Sequence, residues 1–287
     1  MSAERPNRSR ITDLWTRLVR NPQALIGLVI CLAYLFLGGI GPSLTSHDYA
    51  QQDLMDTYIR PFHQGHILGT DHLGRDLYAR LAEGARISLL VGFGVTAIAM
   101  VIGVTFGMLA GYFRGWVDTV ISGVVEFAWG FPLILIAVIL TGAFGPGLKA
   151  TVLAIGLINW AGFARIIRGE VLALREREFV QAARAIGAGH RRILLRHVLP
   201  NIVAPSLVMA SYYVALAIIA EAGLSFIGMG AQPPLPSLGV MIADGRNYML
   251  LDQWISTIPG VAIILIVMGL NFLGDGLRDV LDPRLRR

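Results

Sequence analysis

Three polar residues lie inside long apolar runs of the sequence, where hydrogen-bonding side chains are uncommon: Glu126, Asn159 and Glu221. A carboxylate within a membrane is costly and usually faces a cavity or a partner group. Two interpretations are open. In one, the three side chains line a pathway and hydrogen-bond a hydrated solute; in the other, they join neighbouring helices.

The histidines offer a second kind of chemistry, because imidazole is a common metal ligand. Four of the six lie in one polar stretch, at His47, His63, His66 and His72. No two of them have tight ligand spacing on a defined element, and no cysteine lies nearby. We therefore expect solvated loop histidines and no metal site. The single cysteine, Cys31, lies in an apolar run and is expected to pack as a small hydrophobic residue.

Two catalytic signatures are absent from the sequence. There is no G-x-x-x-x-G-K-[ST] phosphate loop, so the chain is not expected to bind ATP. There is no G-x-S-x-G motif and no histidine inside a predicted span, which argues against an intramembrane serine protease. A secondary transporter that moves protons through Glu126 and Glu221 remains an alternative.

The composition points to a lipid environment. Of 287 residues, 55% are hydrophobic and only 15% are charged, which is too apolar for an ordinary soluble surface. The formal charge of +5 comes from basic residues that lie in blocks beside apolar runs rather than among exposed aromatics. Membrane topology explains these blocks better than nucleic-acid binding does.

Crossing about 30 Å of hydrocarbon takes about 20 mostly apolar helical residues, and six runs approach that length. The predicted fold is therefore an all-α integral membrane protein with six transmembrane helices. The fourth span is short, although Lys149 and Arg165 can snorkel to the interfaces. Gly103, Gly107 and Gly111 in the second span are expected to permit close helix packing. The six spans are residues 24–41, 87–113, 119–140, 150–164, 202–228 and 254–274.

The basic residues predict the orientation. With both termini in the cytoplasm, 18 of the 24 Lys and Arg residues lie inside, as the positive-inside rule requires. The chain then divides into segments that alternate between the two sides. They are a cytoplasmic segment 1–23, the first span 24–41, an external segment 42–86, a five-helix core domain 87–276 with a cytoplasmic loop 165–201, and a cytoplasmic tail 277–287.

The cytoplasmic loop has the most regular pattern outside the spans. Residues 175–201 predict two short helices broken at residues 187–189, where glycine permits a left-handed helix end. The first helix carries an apolar face at i, i+3, i+4 and i+7. Such a helix can enter a cleft on another protein or rest on anionic lipid. The residues of the predicted face are Phe179, Ala182, Ala183 and Ile186.

Residues 181–200, QAARAIGAGHRRILLRHVLP, resemble the cytoplasmic EAA loop of ABC importer permeases. The match lies in the triplet 181–183, Gly187 and the final Leu-Pro. Two positions depart from the general pattern, since Gln181 replaces an acid and His197 replaces an aliphatic residue. Glu178 is a nearby carboxylate that can stand in for the missing acid.

Other stretches resemble one branch of that family, the permeases of dipeptide, oligopeptide and nickel importers. They are residues 68–90, 221–230 and 233–249. The resemblance implies a type I importer permease fold in a bacterial plasma membrane, and the C-type subunit of a heterodimeric pair. Peptides, nickel and other small solutes all remain open as the transported molecule.

The resemblance also implies partners: a homologous second permease subunit, two cytoplasmic P-loop ATPases that bind ATP and magnesium, and an extracytoplasmic substrate-binding protein. The chain itself is expected to bind no cofactor. The loop would form a coupling helix that docks into a groove of an ATPase. The residues implied in that contact are Glu178, Phe179, Gln181, Ala182, Ala183, Arg184, Ile186, Gly187, Ala188 and His190.

Overall fold

The computed structural model describes residue 19 and residues 21–281, and its regular structure there is helical. Asn21 begins the first helix, because its side chain accepts hydrogen bonds from the backbone N–H groups of Gln23 and Ala24. The helices are α1 (Pro22–Gly39), α2 (Leu77–Phe113), α3 (Gly115–Trp129), α4 (Leu133–Phe144), α5 (Leu148–Arg175), α6 (Glu178–Ala185), α7 (His190–Ile193), α8 (Leu199–Phe226), α9 (Leu238–Arg246) and α10 (Trp254–Leu281).

Five helices in the described part of the chain are long and apolar enough to cross a membrane. They are α1, α2, α5, α10 and the continuous helix His190–Phe226, which includes α7 and α8. Helices α3 and α4 meet at an angle of 86° and form a sixth crossing if the pair is one span. Each predicted span corresponds to one of these elements, and the predicted all-α membrane fold is confirmed.

The third span differs from its prediction as a continuous helix over residues 119–140. Its first half ends at Trp129, and its second half begins at Leu133. Pro132 lies immediately before the second half with φ −59°. A proline has no N–H to donate and its ring clashes with the preceding turn, so the helix breaks at this point.

Two spans are much longer than their apolar runs. Helix α2 begins at Leu77 rather than at residue 87, because Asp76 caps it by accepting from the N–H of Ala79 at 2.7 Å. Helix α5 continues to Arg175, beyond the predicted end at residue 164, and its 28 residues cross without help from snorkelling. Hydropathy marks where lipid contact ends, whereas the backbone hydrogen bonds continue into the polar regions.

Helix α2 packs closely along α5 through the predicted glycine stripe. A Cβ atom built on Gly103 would lie 2.7 Å from the carbonyl oxygen of Trp160, and one on Gly107 would lie 2.5 Å from that of Ala164. At Gly111 the nearest backbone atom, the carbonyl oxygen of Arg168, would be 2.8 Å away. Any larger residue would separate the two helices, which confirms the packing role predicted for these glycines.

The external segment closes over the N-terminal end of α2 through buried charges. Arg75 donates to Asp71 at 2.6 Å and to Asp244 of α9 at 3.1 Å. Arg80, only 2% exposed, donates to Asp244 at 3.2 Å and lies 3.6 Å from Asp71. These contacts tie residues 71–80 to the external helix α9 and fix its position over the membrane-spanning core.

Candidate functional site

Helix α6, the centre of the EAA-like loop, ends where the sequence predicts. Gly187 has φ +80°, in the left-handed region that glycine adopts without strain. The N–H of Ala188 donates to the carbonyl of Ala183 at 3.0 Å, and the N–H of Gly187 donates to that of Arg184 at 2.9 Å. This Schellman-type end satisfies the last carbonyls of α6 and reverses the chain toward α7.

The predicted apolar face of α6 divides into two sides. Phe179 is 42% exposed and Ile186 is 85% exposed, and Ala182 is exposed between them. Ala183 turns the other way and is buried beside Val180 in a cluster of this chain's own residues. The prediction that all four residues share one outward face is wrong for Ala183, which lies at the edge of the 100° arc that they span.

Tyr112, near the C-terminal end of α2, attaches the loop to the core. Its hydroxyl lies 2.9 Å from Nδ1 of His190, and the guanidinium of Arg184 lies 5.1 Å from the centre of its ring. Arg175, at the end of α5, donates to the Tyr112 carbonyl at 2.6 Å. One buried aromatic residue therefore contacts the last turn of α6, the first residue of α7 and the end of α5. Sequence reasoning missed Tyr112, because nothing in its spacing distinguishes it from a residue at a span border.

Gln181, one of the two positions that depart from the family pattern, makes a local contact. The Gln181 side chain donates to the carbonyl of Glu176 at 3.2 Å, and the Glu176 carboxylate accepts from Arg114 at 2.8 Å. Glu178 is exposed and forms no ion pair with any residue that the structure describes. The loop thus presents one free carboxylate beside its exposed apolar side.

The loop continues into the fifth span without a break. A widened π turn over Leu194–Val198 joins α7 to α8. Pro200 has no N–H to return to the carbonyl of Arg196, so the regular hydrogen bond cannot form there. The Asn201 side chain donates to the next carbonyl, that of His197, at 2.7 Å. The final Leu-Pro of the EAA-like loop therefore lies inside one long helix, His190–Phe226.

The three polar residues of the spans occupy different environments. Glu221 is fully buried, and its carboxylate accepts a hydrogen bond from the Ser225 hydroxyl at 2.6 Å. The hydroxyl oxygen of Ser225 in turn accepts from the N–H of Ala231 at 3.1 Å. This chain of bonds favours a contact between elements over a pathway role. Glu126 is exposed on α3, and Asn159 is half-buried on α5. No hydrogen bond within the described residues joins two of the three.

Glu126 borders a small cavity between α3 and α5. The cavity has a volume of about 160 Å³, and Arg165 and Arg168 of α5 lie on its wall. Arg168 donates to both carboxylate oxygens of Asp118, at 2.5 and 2.7 Å, so its charge is already paired. Arg165 instead lies over the ring of Trp129 at 5.1 Å. Glu126 therefore has no hydrogen-bond or ion-pair partner among the described residues, although two arginines border the same cavity.

Residues 103–287 match the family model described as "Binding-protein-dependent transport system inner membrane component". The chain belongs to this family. Residues 9–61 also match the N-terminal transmembrane domain of oligopeptide transport permease C. The chain is thus a multi-pass inner-membrane permease subunit of a bacterial ABC importer, and ATP hydrolysis and ATP binding fall to other subunits.

Several full-length relatives support this assignment. The dipeptide transport permease DppC of Bacillus subtilis is 40% identical over 287 residues, covering 100% of this chain and 89% of the relative. DppC of Alkalihalophilus pseudofirmus is 39% identical over 274 residues, with 96% and 90% covered. The glutathione transport permease GsiD of Pectobacterium atrosepticum is 36% identical, with 96% and 91% covered.

A solved structure supports the fold. The permease fold of the inward-facing MetNI methionine ABC transporter matches with a TM-score of 0.59 at 22% identity, over 71% of this chain and 97% of that chain. The family match and the full-length relatives confirm the predicted importer permease, and the alternatives of a secondary transporter and an intramembrane protease are set aside. A permease of this family works with an ATPase and a binding protein.

Proposed function

We propose that this chain forms one half of the pathway by which an ABC importer carries short peptides, and that α6 transmits movement from a partner ATPase. The relatives described above are named for dipeptides and for glutathione, which is itself a tripeptide. Those names support peptides as the substrate class over nickel. A homologous permease subunit forms the other half of the pathway.

The observation that carries the coupling role is the outward side of α6. Phe179 and Ile186 expose apolar surface on a helix that the charge pattern places in the cytoplasm, beyond the lipid. Exposed apolar patches of this kind mark contact surfaces. Because Tyr112 and Arg175 hold the loop to α2 and α5, a force applied to α6 passes directly to two spans.

The exposed carboxylate on α3 supports the proposal that this chain lines part of the pathway. Helices α3 and α4 bury only Val125 and Ala137 within the described residues of this chain. The rest of their surface faces lipid, a partner or the pathway. A carboxylate facing hydrocarbon is unfavourable, so we place Glu126 toward the partner permease or the hydrated pathway rather than toward lipid. Asn159 and Glu221 receive no such support.

The experiment compares two substitutions on α6 in the complete transporter. Ile186→Asp places a charge on the outward side, and Ala185→Asp places the same charge at an exposed position outside the predicted contact set. We expect Ile186→Asp to lose the ATPase during purification in mild detergent and to lose ATP-dependent uptake of a labelled dipeptide. Ala185→Asp should retain both, and retention of both by Ile186→Asp would contradict the coupling role.

The substrate class is tested separately in proteoliposomes that contain the wild-type complex and its binding protein. We expect ATP-dependent uptake of labelled dipeptide that an excess of Ni²⁺ does not reduce. Uptake of nickel without uptake of peptide would overturn the substrate assignment and leave the coupling role of α6 intact.

A further inference from the structure

Two histidines from the external segment meet the aspartate that begins α2. Nδ1 of His66 lies 2.7 Å from Oδ2 of Asp76, and Nδ1 of His47 lies 4.0 Å from the same oxygen. The two imidazole rings are 4.6 Å apart. One potential ligand atom from each residue lies within 4.8 Å of the other two. We propose that His47, His66 and Asp76 bind a divalent metal ion of the Zn²⁺ class.

The separations suit a small tetrahedral ion. Zinc lies about 2.0–2.2 Å from nitrogen and oxygen ligands, which places tetrahedral ligands about 3.4 Å apart. The two distances to Oδ2 of Asp76, 2.7 and 4.0 Å, fall on either side of that value. Asp76 and His66 are held in the interior, with side chains 3% and 8% exposed, whereas the His47 side chain is 36% exposed and is free to adjust.

The helix start fixes the carboxylate in place. Oδ1 of Asp76 accepts from the N–H of Ala79 at 2.7 Å, which leaves Oδ2 directed at the histidines. A carboxylate held by a second hydrogen bond is a preorganised ligand, because its orientation is set before the ion arrives. Asp76 therefore serves both as the cap of α2 and as the anionic ligand.

The surroundings favour a cation. The three residues border a cavity of about 180 Å³ whose wall also includes Asp48, Asp53 and Asp56 and contains no lysine or arginine. The cavity leaves room for water in the fourth coordination position. Two imidazole nitrogens with one carboxylate are typical of zinc and related ions, whereas calcium and magnesium prefer oxygen ligands alone.

A bound ion would cross-link three positions that are far apart in the sequence. It would tie residues 47 and 66 of the external segment to the first residue before α2, so metal should stabilise the folded chain. This role is structural and is independent of the solute that the transporter carries. It is also independent of α6 and its ATPase.

The test uses the full-length chain with a histidine-free affinity tag, stripped of metal in detergent and titrated with Zn²⁺ against a chromogenic chelator. We expect one tight site per wild-type chain and a rise in the thermal unfolding temperature on zinc addition. His47→Ala should weaken zinc binding by at least about tenfold, since loss of even an outer-shell partner costs 10- to 100-fold. The same variant should abolish the thermal shift.

His63→Ala is the matched control, because His63 lies in the same segment and is exposed outside the cluster. It should bind zinc as the wild type does. The proposal is overturned if the wild-type chain has no tight zinc site, or if His63→Ala loses as much affinity as His47→Ala. Because His47 is partly exposed, its substitution leaves the buried pair of His66 and Asp76 in place to maintain the fold.

Discussion

The two ends of α2 are built differently. At the external end Arg80 is buried between Asp71 and Asp244, and its charge is balanced within the chain. At the cytoplasmic end Tyr112 is equally buried, but the helix that it holds leaves Phe179 and Ile186 uncovered. The external end is completed by the chain's own residues, whereas the cytoplasmic end carries exposed apolar side chains.

This difference separates the contacts that keep the chain folded from the surface that we propose connects it to an ATPase. A buried ion network is costly to break, because removal of one partner leaves another charge in a low-dielectric site. Exposed apolar residues cost little when replaced in the isolated chain. We therefore expect substitutions at the external end to change stability, and substitutions on the outer side of α6 to change assembly. Three further experiments test this contrast, in order of decreasing effect on stability.

The largest effect is expected for Asp71→Ala. This change removes the shared acceptor of Arg75 and Arg80 and leaves two buried guanidinium groups with Asp244 alone. Loss of one partner of a buried pair costs about 3–5 kcal/mol. Thermal unfolding in detergent should show a clear drop in midpoint.

The control for that experiment is Arg86→Ala, in α2. Arg86 is 58% exposed and lies 3.7 Å from Glu83. An exposed pair of this kind contributes about 0–1 kcal/mol. Equal destabilisation by Asp71→Ala and Arg86→Ala would show that the buried network at the external end stabilises the fold no more than an exposed pair does.

A smaller effect is expected for Tyr112→Phe at the cytoplasmic end. The ring and its contact with Arg184 remain, and only the hydroxyl contact with His190 is lost. A net loss of about 1 kcal/mol corresponds to about fivefold more frequent local opening. Trypsin should cleave the loop at Arg177 or Arg184 correspondingly faster.

Tyr212→Phe is the matched control for the loop, because it makes the same chemical change at an exposed side chain of α8. Its cleavage rate in the loop should equal that of the wild type. An unchanged rate in Tyr112→Phe would show that the hydroxyl does not hold the loop, and that the attachment rests on packing and on Arg175.

The smallest effect depends on pH and concerns His72 in the external segment. Burial lowers the pKa of His72 below its ordinary value of 6.5, and the positive charges of Arg75 and Arg80 lower it further. The negative charges of Asp71 and Asp244 raise the pKa, but their effect is smaller. The folded chain therefore binds fewer protons at this site than the unfolded chain. Stability is retained above about pH 6.5 and declines as the pH falls from there toward the lowered pKa.

His72→Phe should remove that part of the pH dependence. The imidazole stacks on Tyr248 at 4.4 Å, and a phenyl ring preserves the stacking without a titrating group. At pH 7.5 the variant and the wild type should unfold at similar temperatures, and at pH 5.5 the variant should be the more stable. An identical pH profile would show that His72 titrates normally in the folded chain.

Hydropathy predicts the spans well but not where their helices end. The apolar run of the fourth span stops at Arg165, yet α5 continues for ten more residues to Arg175, because charged residues are good helix formers outside lipid. The start of α2 depends on a cap at Asp76 and on buried charges contributed by α9. Such long-range pairs leave no local pattern in the sequence.

The cytoplasmic loop and the external histidines also show which features a local sequence pattern cannot predict. The glycine end of α6 follows from residues 187–189 alone, and its prediction is confirmed. The orientation of Ala183 depends on which side of α6 meets the core, which a short periodic pattern does not specify. His47 and His66 are 19 positions apart in irregular chain, so their approach to Asp76 depends on the folded external segment.

The helix His190–Phe226 has a mechanical consequence. Its 37 residues make a rod about 55 Å long, so the loop and the external end of the fifth span belong to one body. If that rod tilts by about 10° around its midpoint, each end moves by about 5 Å in opposite directions. A push at His190 would thus displace the region around Glu221 the other way, and the π turn at Leu194–Val198 is the place where such a rod would bend.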